Sequence, residues 1–101
     1  MKYKVIISET AKEQISFHLK FISNVNKAAA KKTGYRIYDS LKSLSDMPAR
    51  FPFFNEQYIP MNYYHKMYVD NWYVVLYQIK DNIVYVDYVL DCRQDYSWLI
   101  K

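Results

Sequence analysis

The sequence predicts an α+β fold in which one strand and a helical hairpin precede a three-stranded antiparallel meander. The meander is predicted from Tyr63 to Arg93, where Tyr, Val, Ile, Leu and Trp predominate and suit a pleated, half-buried sheet. Two Asp-Asn pairs, at 70–71 and 81–82, separate three apolar runs, and both residue types tolerate the backbone of tight hairpins. Two apolar stripes at helical spacing lie upstream and predict the helices.

The first strand is predicted from Lys2 to Ile7, where polar and apolar residues alternate weakly. Ser8 and Thr10 both offer caps for the helix that follows, and Thr10 with Glu13 has the form of a capping box. The apolar stripe of this helix consists of Ala11, Ile15, Leu19 and Ile22. His18 lies between the last turns of this stripe and is expected at the margin of the core.

A second helix is predicted from the cap Asn26 to about Ser45. Its inner face consists of Ala30, Ile37, Leu41 and Leu44. Gly34 costs about 1 kcal/mol relative to Ala inside a helix, so we expect either a kink or a close contact between the helices at this position.

The segment from Asp46 to Pro60 has three prolines and no lasting period, which is typical of a loop or an irregular edge. Its aromatic residues Phe51, Phe53, Phe54 and Tyr58 are expected to cap one end of the core, and a ligand-binding role is the alternative.

The strands of the meander are predicted at 63–69, 72–80 and 83–91. Strand side chains alternate between faces, so Val84, Val86, Tyr88 and Leu90 should point one way and Tyr85, Asp87, Val89, Asp91 and Arg93 the other. One core between the hairpin and one sheet face is therefore expected to bury Ile15, Leu19, Ile22, Ile37, Leu41, Leu44, Val84, Val86 and Leu90.

The chain of 101 residues is expected to form a single domain over residues 1–101, and its 51% hydrophobic content favours a globular fold. No signal peptide or membrane span is recognisable, so a cytoplasmic protein is expected.

Cys92 is the single cysteine, and no His/Cys set suggests a metal or other cofactor. Twelve tyrosines and five phenylalanines against one glycine point to a surface that binds a partner, and plain core packing is the alternative.

The charge is divided unevenly between the two halves of the chain. Residues 1–50 contain 10 Lys/Arg and 4 Asp/Glu, a net charge of +6, whereas residues 51–101 contain 4 and 6, a net charge of −2. The basic half could face nucleic acid, an acidic partner or only solvent. The sheet half is not attractive to phosphate.

Two polar groups are candidates for chemistry. His65 and Lys66 begin the meander, and a histidine can transfer protons near neutral pH while a lysine can stabilise an anionic transition state. A surface pair without a function is the alternative. Arg93 lies near Asp91, Asp95 and Tyr96, where it either contacts an anion or partner, or is held by its neighbouring carboxylates.

The order of these elements resembles the RelE/ParE superfamily of toxins from bacterial type II toxin–antitoxin modules. The resemblance rests on KYKVIISETAKEQI at the start, SLKSLSDMPARFP in the link, WYVVLYQIKDNIVYVDYVL in the sheet and the Arg93-x-Asp95 ending. It implies a four-stranded antiparallel sheet with the helical hairpin on one face and a shallow concave surface on the other. It also implies an antitoxin that wraps the domain.

The superfamily includes RelE-like members, which cut messenger RNA on the ribosome, and ParE-like members, which inhibit DNA gyrase. The RelE-like catalytic pattern maps onto Arg93 and Tyr96, while its basic residues are represented by His65 and Lys66 alone. The RelE-like pattern is missing at Met67 and Val74, and the histidine that many ParE-like and related members carry two places before the arginine is Asp91 here.

These departures favour a ParE-like gyrase inhibitor held by a cognate antitoxin, with no membrane partner. The first alternative is a RelE-like ribosome-dependent endoribonuclease, in which case His65, Lys66, Arg93 and Tyr96 are the candidate catalytic residues. The second alternative is a non-toxic protein-interaction domain.

Overall fold

The computed structural model describes residues 2–56 and 60–92. Its elements are β1 (Lys4–Ile7), α1 (Glu9–Ser23), α2 (Lys27–Ser43), a 3₁₀ turn (Pro48–Arg50), β2 (His65–Val69), β3 (Tyr73–Lys80) and β4 (Ile83–Asp91). This confirms the predicted β-α-α-β-β-β order and the antiparallel meander. None of the helices in the described ranges is long and apolar enough to cross a membrane.

The sheet has the strand order β1-β4-β3-β2 and is mixed. The meander strands pair antiparallel, but β1 pairs with β4 in parallel, with Lys4 opposite Ile83. The expectation of a fully antiparallel sheet is therefore wrong. The reason is that the helical hairpin and the linker together form a crossover, which starts β2, and hence β4, in the direction of β1.

Local sequence signals set the ends of the elements. Ser8, not Thr10, is the N-cap of α1, because its Oγ accepts a hydrogen bond of 2.9 Å from the Ala11 amide while Thr10 already lies inside the helix. Asn26 caps α2 as predicted. The left-handed backbone expected of the hairpin turns occurs at Asp70, Asn71 and Asp81.

The two helices approach closely at Gly34. A Cβ atom at this position would lie 3.1 Å from Cδ1 of Leu19, which is tighter than ordinary packing. Since α2 is continuous from Lys27 to Ser43, the glycine does not interrupt the helix, and the close helix contact that was expected as one alternative is present.

The main core lies between the helical hairpin and one face of the sheet. Six of the predicted core residues are buried there, namely Ile15, Ile37, Leu41, Leu44, Val84 and Val86. Leu19 and Ile22 are half-buried. His18 is buried more deeply than a margin position, and its Nε2 donates a 2.9 Å hydrogen bond to the Val89 carbonyl.

The prediction that Leu90 joins this core is wrong, because β4 contains a β-bulge at Asp87. Leu76 pairs with Tyr88 and Tyr77 pairs with Val86, so no residue of β3 lies opposite Asp87 in the strand register. One extra residue reverses the alternation of every side chain after it. Val89 therefore enters the main core, while Tyr88 and Leu90 turn to the other face.

We call the sheet face opposite the helices the open face. A second apolar cluster lies on it, consisting of Phe54, Tyr64, Val74, Leu76 and Leu90. Phe54 thus covers the open face, whereas Phe51 packs against the main core. The expectation that the linker aromatics all cap one end of the core is therefore wrong for Phe54, and Tyr58 lies outside the described residues.

Candidate functional site

His65 lies on the helix-facing side of β2, where aromatic rings enclose it. Its ring stacks on Tyr77 at a centroid distance of 5.3 Å and lies 4.2 Å from the ring of Phe53. Its Nδ1 donates a 2.8 Å hydrogen bond to the Phe51 carbonyl oxygen. These contacts attach the proline-rich linker to the sheet.

Lys66 points in the opposite direction, onto the open face. Its register partner is Leu76, and its Nζ lies 5.9 Å from the ring centroid of Phe54 and 5.8 Å from that of Tyr68. Consecutive strand residues project to opposite sides. The structure therefore does not bring His65 and Lys66 together. The other two predicted site residues, Arg93 and Tyr96, lie outside the described residues.

A polar group that the sequence analysis did not single out occupies the open face at the β-bulge. Oδ2 of Asp87 accepts a hydrogen bond of 2.9 Å from the Tyr64 hydroxyl and one of 3.0 Å from Nε2 of Gln78. The rings of Tyr63 and Tyr88 both meet the ring of Tyr64 edge-on, with centroids at 4.8 and 6.0 Å. We call these five residues the acid–tyrosine centre.

The electrostatics of the acid–tyrosine centre are those of an electronegative patch. Burial is the largest cause that raises the pKa of Tyr64, and the hydrogen bond to Asp87 raises it further. The hydroxyl therefore stays protonated and acts as a donor toward the carboxylate. A protonated phenol cannot accept a proton from a substrate, so Tyr64 is not a general base. The acid–tyrosine centre is therefore better suited to binding than to acid–base chemistry.

The sequence contained a signal for this centre. Asp87 interrupts the apolar run IVYVDYVL, and Gln78 interrupts YVVLYQIK. Both are polar residues at positions where a strand would normally place apolar ones. Their mutual contact depends on the strand register, which the sequence alone did not supply.

A cleft of about 590 Å³ opens at the other side of the molecule, between α1 and the β2–β3 turn. Its lining includes Phe17 and Phe21 of α1, which expose 66% and 67% of their surface, together with Trp72. We call it the α1 cleft. Asp70 on its rim is held by Arg36 of α2 at 3.0 Å.

Within residues 2–56 and 60–92, no group of three or more His, Cys, Asp or Glu side chains could hold a metal ion.

Comparison with known proteins agrees with this architecture. A sequence model of the ParE toxin family, described as the ParE toxin of the type II toxin–antitoxin system parDE, matches residues 5–96. No curated protein sequence matches the chain. Among solved structures, a chain from "Chromosomal ParDE TA system from P. aeruginosa" has a TM-score of 0.73 at 10% identity, over 89% of this chain and 96% of that one. That structural match concerns the fold.

Proposed function

The chain belongs to the ParE toxin family of type II toxin–antitoxin systems, and on this premise we propose that it arrests bacterial growth by inhibiting DNA gyrase. We further propose that a cognate antitoxin neutralises it. The alternative target is messenger RNA on the ribosome, which a RelE-like toxin would cut.

The observation that carries the choice of target is the acid–tyrosine centre. Messenger cleavage develops negative charge on a phosphate, and stabilising it requires cations aimed at that charge. The open face instead places the carboxylate of Asp87 among tyrosines. The cation nearest the start of the meander, Lys66, lies over aromatic rings, and His65 faces the helices. This arrangement disfavours a bound RNA backbone.

Parallel assays with the purified protein test the target. We expect inhibition of gyrase-catalysed DNA supercoiling, and messenger RNA that stays intact on translating ribosomes. Lys66→Ala should leave gyrase inhibition unchanged. Lys80→Ala, at the exposed end of β3, removes the same charge and is the matched control. Ribosome-dependent cleavage by the wild type that is lost in Lys66→Ala and kept in Lys80→Ala would favour the ribonuclease.

The proposed antitoxin contact is supported by the surface of the helical hairpin. α2 exposes five basic residues, Lys27, Lys31, Lys32, Arg36 and Lys42, against the single acidic residue Asp39. Phe17 and Phe21 add an exposed apolar pair on α1. An acidic, partly disordered antitoxin segment would gain affinity from the aromatic anchors and association rate from the charge.

Binding kinetics with the cognate antitoxin test the proposed docking surface on the helical hairpin. The double change Lys31→Glu and Lys32→Glu should slow association and weaken its dependence on salt, whereas Phe17→Ala should mainly speed dissociation. Lys80→Glu, on the sheet, is the control for charge reversal. An association rate that is equally affected by the helical and the sheet variants would contradict this docking surface.

A further inference from the structure

The carboxylate of Asp87 is only partly used by the groups around it. Both of its hydrogen bonds end on Oδ2, from Tyr64 and from Gln78. Among the residues that the structure describes, Oδ1 accepts no hydrogen bond. The side chain is half-buried at the bulge, and the two donors hold it in one orientation on the open face. An oriented carboxylate with a remaining acceptor atom is suited to bind a donor from outside the chain.

Aromatic rings flank Tyr64, which donates to this carboxylate. Tyr63 exposes 47% of its surface, and its ring and that of Tyr88 flank the ring of Tyr64. Ring faces and phenol oxygens around a carboxylate create a negative potential that favours a cation.

The same face already holds one cation on aromatic rings. The ammonium group of Lys66 lies within 6 Å of two of them, Phe54 at 5.9 Å and Tyr68 at 5.8 Å. Lys66 therefore shows, inside the chain, the kind of contact that the acid–tyrosine centre offers to an external group.

We propose that the acid–tyrosine centre is a receptor for an arginine side chain presented by a protein partner. A guanidinium fits better than an ammonium because it is planar, stacks on tyrosine rings and donates several hydrogen bonds in a fixed fork. Oδ1 of Asp87 would accept from the guanidinium, and Tyr63 and Tyr88 would contact its faces or edges. The site stands independently of whether gyrase or the ribosome is the target.

Titration of the isotope-labelled protein with three short peptides, followed by NMR, tests the receptor. The peptides carry a central arginine, a lysine or a citrulline, the last being a neutral relative of arginine with a similar shape. The arginine peptide should bind with a dissociation constant of about 1 mM, as expected for one charge-assisted hydrogen bond plus ring contacts. The shifted amides should cluster around Asp87 and Tyr64. The lysine peptide should bind several-fold more weakly, and the citrulline peptide should not bind.

Two variants locate the site. Asp87→Asn should weaken binding about tenfold or more, whereas Asp81→Asn removes the same charge at the β3–β4 turn and should have no effect. Tyr63→Ala changes an exposed ring and should weaken binding several-fold, with Tyr35→Ala on α2 as its control. Tyr63→Ala keeps the test valid if Asp87→Asn fails to fold. Equal binding of the citrulline peptide, binding unaffected by Tyr63→Ala, or no binding of the arginine peptide would overturn the proposal.

Discussion

The hydroxyl of Tyr77 donates a 2.6 Å hydrogen bond to the carbonyl oxygen of Pro48. Tyr77 is completely buried at the centre of β3, and Pro48 begins the 3₁₀ turn that follows the helical hairpin. This bond joins the middle of the sheet to the linker, and His65 stacks on the same tyrosine ring. The Tyr77 side chain thus connects the start of the linker and β2 to the middle of the sheet.

Tyr77→Phe should lower the free energy of unfolding by about 1–3 kcal/mol, because it leaves the Pro48 carbonyl buried without its donor. Urea denaturation measures this loss. The same change at Tyr68, which is half exposed on the open face, should cost less than about 0.5 kcal/mol. Equal losses in the two variants would contradict the structural role of the buried bond.

Stability should also fall in alkali through Tyr77. Burial raises the pKa of Tyr77 to about 12, and the positive charge of Arg50 opposes this increase. Because the folded pKa lies above the unfolded value of about 10, the stabilisation is fully present below pH 10 and is lost as the pH rises toward 12. The stability advantage of the wild type over Tyr77→Phe should therefore narrow between pH 10 and 12, by up to about 3 kcal/mol. Urea denaturation of both proteins at about pH 9, 10, 11 and 12, which span the unfolded and folded pKa values, tests this prediction. A difference in the free energy of unfolding that stays constant over this range would contradict it.

Leu41→Ala should destabilise the protein by about 2–5 kcal/mol, since Leu41 is fully buried in the main core and its truncation leaves a cavity. Lys42→Ala, at the adjacent exposed position, should change stability by no more than about 0.5 kcal/mol. A shift in melting temperature of about one degree or less for Leu41→Ala would reject the packing of α2 on the sheet.

Gly34 offers a graded test of the helix contact. Gly34→Ala gains about 1 kcal/mol of helix propensity, but its methyl group must displace the flexible end of Leu19 by a few tenths of an ångström. We expect a net change within about 1 kcal/mol. Gly34→Val pushes further into Leu19 and should destabilise by about 1–3 kcal/mol. Thermal unfolding in which both variants behave alike would mean that α1 does not limit the space at this position.

Substitution of Arg93 also distinguishes gyrase from messenger RNA as the target. If the protein inhibits gyrase as proposed, neither the wild type nor Arg93→Ala should cleave messenger RNA. If the arginine is structural, Arg93→Ala and Arg93→Lys should both reduce stability, by up to a few kcal/mol where a partly buried carboxylate loses its partner. Ribosome-dependent cleavage by the wild type, lost in Arg93→Ala at unchanged melting temperature, would favour the ribonuclease, in which case Arg93→Lys should rescue little.

The sequence predicted correctly the elements that depend on local patterns of residues. The cap Asn26, the Asp-Asn turns and the stripe through Ile37 and Leu41 each depend on residues a few positions apart. The parallel pairing of β1 with β4 depends on the path of the long crossover between β1 and β2. The residues next to β1 in the sequence do not indicate this pairing. The site of Leu90 depended on a single unpaired residue, Asp87, whose effect on alternation appears only once β3 is laid beside β4.

The candidate site was predictable to a smaller extent. The sequence pointed to His65 and Lys66 because they are adjacent, but adjacency on a strand separates side chains, and His65 instead holds the linker. The hydrogen bonds of the acid–tyrosine centre join Tyr64, which precedes β2, Gln78 of β3 and Asp87 of β4. Such a centre requires the strand register, which periodicity does not give. Arg93 and Tyr96 remain predictions.

The parallel pairing of β1 with β4 bears on when the protein becomes active during its synthesis. Lys4 is opposite Ile83, and β4 is the strand beside β1 in the sheet of the described residues, so β1 has no neighbour in the sheet until β4 has been synthesised. Pairings across such a long stretch of chain close slowly, because the intervening loop loses conformational entropy first. A chain interrupted before β4 has the helices but lacks the strand that joins β1 to β3. We therefore expect prematurely terminated products of this gene to be harmless to the cell that makes them.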